Sequence, residues 1–289
     1  MSARRSGDGP RSALWATLVR PFRKSRAFAL GVLLVTVVVL IGLVGPWFVS
    51  VDPNTMDFIA ILQGPSAAHP FGTDEFGRDV LSRALAGSRI SLVVGASVMG
   101  ITLVAGLVFG LLAGFYRRVD AVLMRAMDIL MAFPAILLAI AVMSVLGARL
   151  ENVIIALAIV YAPRSVRIVR GQVIATKELD FVDAARALGA SDGRLMVRHV
   201  ALNALAPLVV QETFIFAYAI IAEATLSFLG VGVPAGTPSW GNIISDGRAF
   251  LETAPWMIFA PGALLAVTVL GVNLLGDGLR DLIDPRMRT

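Results

Sequence analysis

Uncharged runs alternate with polar, turn-rich stretches along the whole chain. Residues 27–49 carry no charge and have Pro46 near their far end. They are long enough to cross a hydrocarbon core of about 30 Å, which takes about 20 helical residues. Residues 90–115 form a second run, rich in glycine. Gly106, Gly110 and Gly114 recur every fourth position, a small-residue spacing that lets helix backbones approach closely in lipid. Residues 124–147 predict a third helix, with Asp128 near its start and Pro134 inside it. Residues 199–230 and 255–279 predict two more, the last with Asn273 and Asp277 close to its end.

The region between the third and fifth of these helices is equivocal. Only residues 152–163 are uncharged there, too few to span alone. Arg164, Arg167 and Arg170 then recur at i, i+3 and i+6, a one-sided series able to snorkel toward a headgroup layer. Charge distribution decides the question. With six crossings and the N-terminus inside, inner segments 1–26, 116–125, 161–200 and 278–289 hold 20 of the 25 Lys and Arg residues. The outer segments keep only Arg78, Arg83, Arg89, Arg149 and Arg248, a strong positive-inside bias. Without the doubtful crossing, the seven cations of 161–200 would lie outside.

The expected organisation is therefore a cytoplasmic N-terminal segment (1–26), a first transmembrane helix (27–49) and an extracytoplasmic segment (50–89). A transmembrane domain (90–280) follows, with an inner loop at 177–200 and a cytoplasmic tail at 281–289. The fold class is all-α integral membrane, with six transmembrane helices and both termini cytoplasmic. Composition agrees: 57% of residues are hydrophobic, 16% are charged, and the mean hydropathy is +0.81, whereas soluble domains carry about a quarter charged residues. Cysteine is absent, and the two histidines, His69 and His199, fall on opposite sides of the membrane in this topology. A metal or catalytic site is not expected. Neither lysine, Lys24 or Lys177, ends a GxxxxGK loop, so the chain has no ATP-hydrolysing motif of its own. No internal repeat points to an inverted-repeat secondary transporter.

Residues 177–207 form a polar island between two apolar segments. Asp180 and Asp183 suggest a helix start. Phe181, Ala184, Ala185 and Leu188 fall at i, i+3, i+4 and i+7, on one face. Gly189 stands where a helix would stop, and Ser191 and Asp192 can begin the next one. The product is a short helix of roughly 12 Å, with a narrow stripe of mostly small residues. From the residues alone, it either lies on the membrane or receives a partner.

Three further groups stand out. Residues 71–92 contain Gly72-Thr73-Asp74, Gly77-Arg78-Asp79 and Ser82-Arg83, a capped amphipathic segment entering a membrane helix. Its charges form either an acid–base network at an entrance or a solvated loop. Thr237-Pro238-Ser239-Trp240-Gly241-Asn242 lies in the expected outer loop, 231–254. On the fifth helix, Glu212 and Glu223 are eleven positions apart and align to about 20°, with Phe216, Ala219 and Ser227 near the same line. Intramembrane acids usually face a cavity or a partner, so this face either lines a path or bonds to neighbouring helices.

Asp183-Ala184-Ala185, Gly189, Arg198-His199-Val200 and Asn203-Ala204-Leu205-Ala206-Pro207 resemble the "EAA" loop of ABC importer permeases. Asp183 stands where members usually have Glu, and Leu202 where they usually have Pro. The stretches 71–92, 226–242 and 273–286 resemble the C-type subunit of the dipeptide, oligopeptide and nickel permeases. The resemblance covers about residues 20–286. It implies a type I ABC importer permease fold in a bacterial inner membrane, forming half of a pathway for di- or oligopeptides. Importers of nickel, glutathione or other small solutes share these motifs; an ion-coupled secondary transporter is the rival from another class. The implied partners are a second, homologous permease, two ATPase subunits or domains that bind ATP and magnesium, and an extracytoplasmic binding protein. This chain itself would hold no cofactor and carry no catalytic residue. Phe181, Asp183, Ala184, Ala185, Leu188 and Gly189 would couple to the ATPase. Glu212, Phe216, Ala219, Glu223 and Ser227 are path candidates. Asp74, Arg78, Asp79, Arg83 and Trp240 are candidates for a gate or a binding-protein contact.

Overall fold

The computed structural model describes residues 25–48 and 52–283. The basic residues Arg4 to Lys24, and Pro285 and Arg286 of the tail, lie outside the described residues. The architecture is helical: α1 (Arg26–Phe48), α2 (Val80–Phe115), α3 (Arg117–Ala132), α4 (Ala135–Leu146), α5 (Leu150–Lys177), α6 (Asp180–Ala187), α7 (Ala201–Phe228), α8 (Trp240–Gly247) and α9 (Trp256–Ile283). A short turn, Asp192–Arg194, and a π turn, Leu195–Val200, lead into α7. No strand forms among the described residues; Thr73 and Asp79 make one isolated antiparallel bridge.

The ends of the bundle are fixed by which residues meet. Loop 52–79, α8 and the start of α5 gather at one end, where Trp240 Nε1 donates to the Ala84 carbonyl at 3.0 Å and Trp256 Nε1 to that of Thr73 at 3.0 Å. The start of α1, the end of α2 and α6 gather at the other, where Lys177 Nζ donates to the Gly114 carbonyl at 3.3 Å. Five helices are long and apolar enough to cross a membrane. Between Phe115 and Leu150 the chain must travel from the second end to the first, and α3 and α4 are what carries it. The pair is bent by 97° and, taken as one span, brings the candidate crossings to six.

That bend corrects the expected single helix over 124–147. Phe133 takes an extended conformation (φ −90°, ψ 142°), because the ring of Pro134 disfavours the helical region for the residue before it. Helix α2 begins at Val80, ten residues before the expected start, with the Asp79 carboxylate capping the Ser82 N–H at 2.7 Å. Helix α5 is continuous over 28 residues, so the doubtful crossing and its arginine series are one rod. The expected outer loop 231–254 contains α8, capped by Ser239.

The core lies where α2, α5 and α7 meet. The glycine ladder of α2 seats directly on α5. A Cβ at Gly106, Gly110 or Gly114 would stand 2.5 Å from the Cβ of Ser165, Val169 or Val173 respectively. Both series step by four residues, so the two rods mesh without a gap. Val94, Val98, Val153, Leu157, Ile215 and Leu226 fill the adjoining layer. Helix α1 packs on α9, with Gly31 against the backbone of Leu275 and Gly271 against Leu34.

Candidate functional site

Helix α6 hangs at the end of the bundle away from loop 52–79. Val182 is fully buried and anchors it. The expected stripe faces outward instead: Phe181 is 45% and Leu188 89% exposed, with Ala184 exposed and Ala185 half-buried. Phe181 lies 6.4 Å from the His199 ring, which ties the ridge to the start of the long helix behind it. Leu179, not Asp180, is the residue preceding the helix, and no side chain caps its N-terminus. The two aspartates sit inside the first turn, where they complement the helix dipole. Asp183 Oδ1 also accepts from Arg186 Nη1 at 2.9 Å.

The far end is built as the spacing predicts. The Gly189 N–H donates to the Arg186 carbonyl at 2.9 Å and the Ala190 N–H to that of Ala185 at 3.1 Å. This is a Schellman pair, and it requires the left-handed conformation at Gly189 (φ +84°). No atom lies within 4 Å of where a Gly189 Cβ would be. The glycine therefore serves the backbone conformation and not a close packing contact.

At the opposite end, the charges of 71–92 are not a solvated loop. Asp74 and Arg83 are fully buried, and Arg78 and Asp79 nearly so. Asp74 Oδ2 receives Arg83 Nη1 at 2.5 Å and Arg78 Nε at 2.7 Å, while Oδ1 receives the backbone N–H groups of Phe76 and Arg78, each at 2.9 Å. Gly77 makes this possible. With φ +71° it turns the chain so that Arg78 folds back onto Asp74, and a Cβ there would strike the Asp57 carbonyl. Arg83 Nη2 reaches Asp246 of α8 at 3.2 Å, and Asp79 Oδ1 meets His69 Nδ1 at 3.0 Å. Trp240 is fully buried against α2. These five residues are thus an internal lock between loop, α2 and α8, not a surface awaiting a partner. Asp246 was missed by sequence reasoning, since nothing within 163 positions of Arg83 marks it as the partner.

Glu212 and Glu223 do share a face, but it is turned inward. Their exposures are 1% and 0%. Glu212 accepts from Thr102 of α2 and Ser165 of α5, both at 2.6 Å. Glu223 accepts from Ser91 of α2 at 3.1 Å and from Ser227 at 2.9 Å. Ala219 and Ser227 are buried with them, and Phe216 packs around Trp240 and Ile220. Five path candidates therefore lie in interhelical packing. The physical reason is the α2–α7 contact, which offers hydroxyls where a water-filled path would offer solvent. The other side of α7 is open: Tyr218 and Ile221 are exposed there.

No group of three or more His, Asp or Glu side chains is arranged to hold a metal ion among the described residues.

Comparison with known proteins bears on both ends. A family model described as a binding-protein-dependent transport system inner membrane component matches residues 106–289, and one described as the N-terminal transmembrane domain of oligopeptide transport permease C matches residues 13–65. A putative peptide transport system permease protein of Brucella suis is 48% identical over 269 residues, covering 93% of this chain and 91% of the relative. A dipeptide transport system permease protein of Alkalihalophilus pseudofirmus is 42% identical, with 95% and 91% covered. An oligopeptide transport system permease protein of Bacillus subtilis is 38% identical, with 96% and 91% covered.

Proposed function

Because this chain belongs to the family of binding-protein-dependent transport system inner membrane components, we propose that it is the C-type permease subunit of an ATP-driven peptide importer in a bacterial inner membrane. It forms half of the translocation pathway and receives its solute from an extracytoplasmic binding protein. A second, homologous permease supplies the other half, and separate ATPase subunits supply the work.

The observation that carries this reading is the ridge on α6. It is a short helix fixed by Val182 beneath and closed by Gly189 behind, and it presents Phe181, Ala184 and Leu188 to open space. An exposed apolar ridge on an otherwise charged membrane end is a docking surface in waiting. The ridge continues through Leu195–Val200 into α7, so a displacement of α6 is passed to a membrane-crossing helix. Nucleotide binding on a docked partner can bias the pathway only through a contact that differs between its two states, and this ridge supplies one. An ion-coupled mechanism through Glu212 and Glu223 has less support, because both carboxyls are occupied by hydroxyl donors inside the packing.

The test is reconstitution. The chain, the second permease, the ATPases and the binding protein in lipid vesicles should take up labelled di- or oligopeptide only with ATP. Uptake by this chain alone, driven by an ion gradient, would overturn the reading.

A further inference from the structure

The arginine series on α5 is not uniform. Arg170 pairs with Asp120, and Arg167 Nη2 with Asp128 Oδ1 at 2.7 Å, both acids on α3. Going back three residues along α5, from Arg170 to Arg167, the partner moves eight residues forward along α3, from Asp120 to Asp128. Arg164 stands three residues further back on α5, and α3, which ends at Ala132, has no acid after Asp128. Among the described residues no carboxylate lies within 4.0 Å of Arg164. Its guanidinium carbon stands instead 5.2 Å from the ring centroid of Tyr161 and 5.3 Å from that of Tyr218. The two rings are stacked, 6.3 Å apart at 24°.

This arrangement fixes the cation without using up its donors. Aromatic faces attract the flat side of a guanidinium, whereas its five N–H groups point outward in the plane. Tyr161 is buried and Tyr218 is 43% exposed, so the cation sits at the edge of the packed core, not within it. The same two rings, without Arg164 itself, help to wall a cavity of about 240 Å³ with Ala135 and Ile136 of α4 and Ile221 and Thr225 of α7. An arginine half-buried on aromatic rings with no carboxylate opposite it keeps its N–H groups available to an anion.

We propose that Arg164, held on the Tyr161–Tyr218 stack, binds the free carboxylate of the translocated solute, whose apolar part reaches past the two rings into the cavity they share. A guanidinium fork matches a carboxylate in bidentate geometry. A lipid phosphate presents the same chemistry, but the cavity walls come from three helices of the bundle, which favours a transported solute. The proposal rests on the peptide-importer reading and moves the path to the side of α7 opposite Glu212 and Glu223.

The experiment uses the complete transporter in vesicles, with one labelled peptide prepared as the free acid and as the C-terminal amide. Arg164→Gln should lower free-acid uptake on the order of tenfold, the value of a charge-assisted hydrogen bond, and lower amide uptake far less. Arg164→Lys should restore part of the difference. A second readout avoids turnover and selection by the binding protein. The chain lacks cysteine, so Thr225→Cys introduces its sole thiol at the cavity wall. The free-acid peptide should slow labelling of that thiol, the amide should not, and Arg164→Gln should abolish the difference. Equal losses for both peptides with no peptide-specific protection, as a lipid phosphate or an acid from the second permease at Arg164 would give, overturn the proposal. If the unmodified transporter moves neither peptide, the importer reading fails instead.

Discussion

Asp74 and Arg83, nine residues apart, face each other with no solvent exposure on either, Oδ2 standing 2.5 Å from Nη1. Removing one member of such a pair strands the other as a buried charge, which typically costs 3–5 kcal/mol. Arg83→Met should therefore lower the thermal midpoint of the purified protein clearly. Asp74→Asn with Arg83→Met should cost less than the sum of the two changes. A double-mutant cycle by thermal unfolding in detergent measures it.

Glu75 adds a pH dependence to the same region. Burial, above all, raises its carboxyl above the ordinary 4.5, with Asp74 and Asp246 adding to the rise and Arg78 opposing it. One carboxylate oxygen, Oε2, is buried without a hydrogen-bond partner, while Oε1 accepts from Arg78 at 3.1 Å. A carboxyl raised in the folded state binds more protons folded than unfolded, so its contribution to stability falls as pH rises through the interval above 4.5. Glu75→Gln should thus gain on the wild type from acid to neutral pH, seen as a widening difference in thermal midpoint. A constant difference across that range would contradict the burial argument.

The glycine ladder predicts a position-specific result. Gly110→Leu places its Cβ on Val169 and within 2.9 Å of the Val166 carbonyl, whereas nothing lies within 4 Å at Gly100. Overpacking of this kind costs about 1–3 kcal/mol or more. Gly110→Leu should reduce the monodisperse fraction on size-exclusion chromatography, and Gly100→Leu should leave it near wild type.

On α6, Ala185→Glu puts a charge on the docking stripe without touching Val182. Gly189→Val forces a β-branched residue to φ +84° at a cost on the order of 1–3 kcal/mol. Both variants should insert in the membrane, and both should fail to copurify with ATPase activity. Retention of that activity by Ala185→Glu would place the docking surface elsewhere.

Thiol labelling separates the two faces of α7. Glu212→Cys should resist a water-soluble reagent, since the site is enclosed by Thr102 and Ser165. Tyr218→Cys should react in the assembled transporter. The reverse pattern would restore the inward face as the path.

Much of this was legible along the chain. The bias of cations toward one side secured the α5 crossing, and the Phe181–Leu188 period with its glycine stop marked α6. What escaped has specific causes. The charged residues Arg83 and Arg89 fall within the first turns of α2, so the uncharged run begins ten residues after the helix does; Asp74 and, from distant α8, Asp246 neutralise Arg83. Pro134 was counted as tolerated inside a span, although the residue before a proline is pushed out of the helical region. The alignment of Glu212 with Glu223 was right. Periodicity fixes which residues share a direction, but only packing fixes where that direction points.

The break at Phe133–Pro134 has a consequence for how the third span is built. Helix α4 has 12 residues and so reaches about 18 Å, little over half of a hydrocarbon layer of about 30 Å. Alone it cannot cross, so this span depends on α3, from which α4 is bent by 97°.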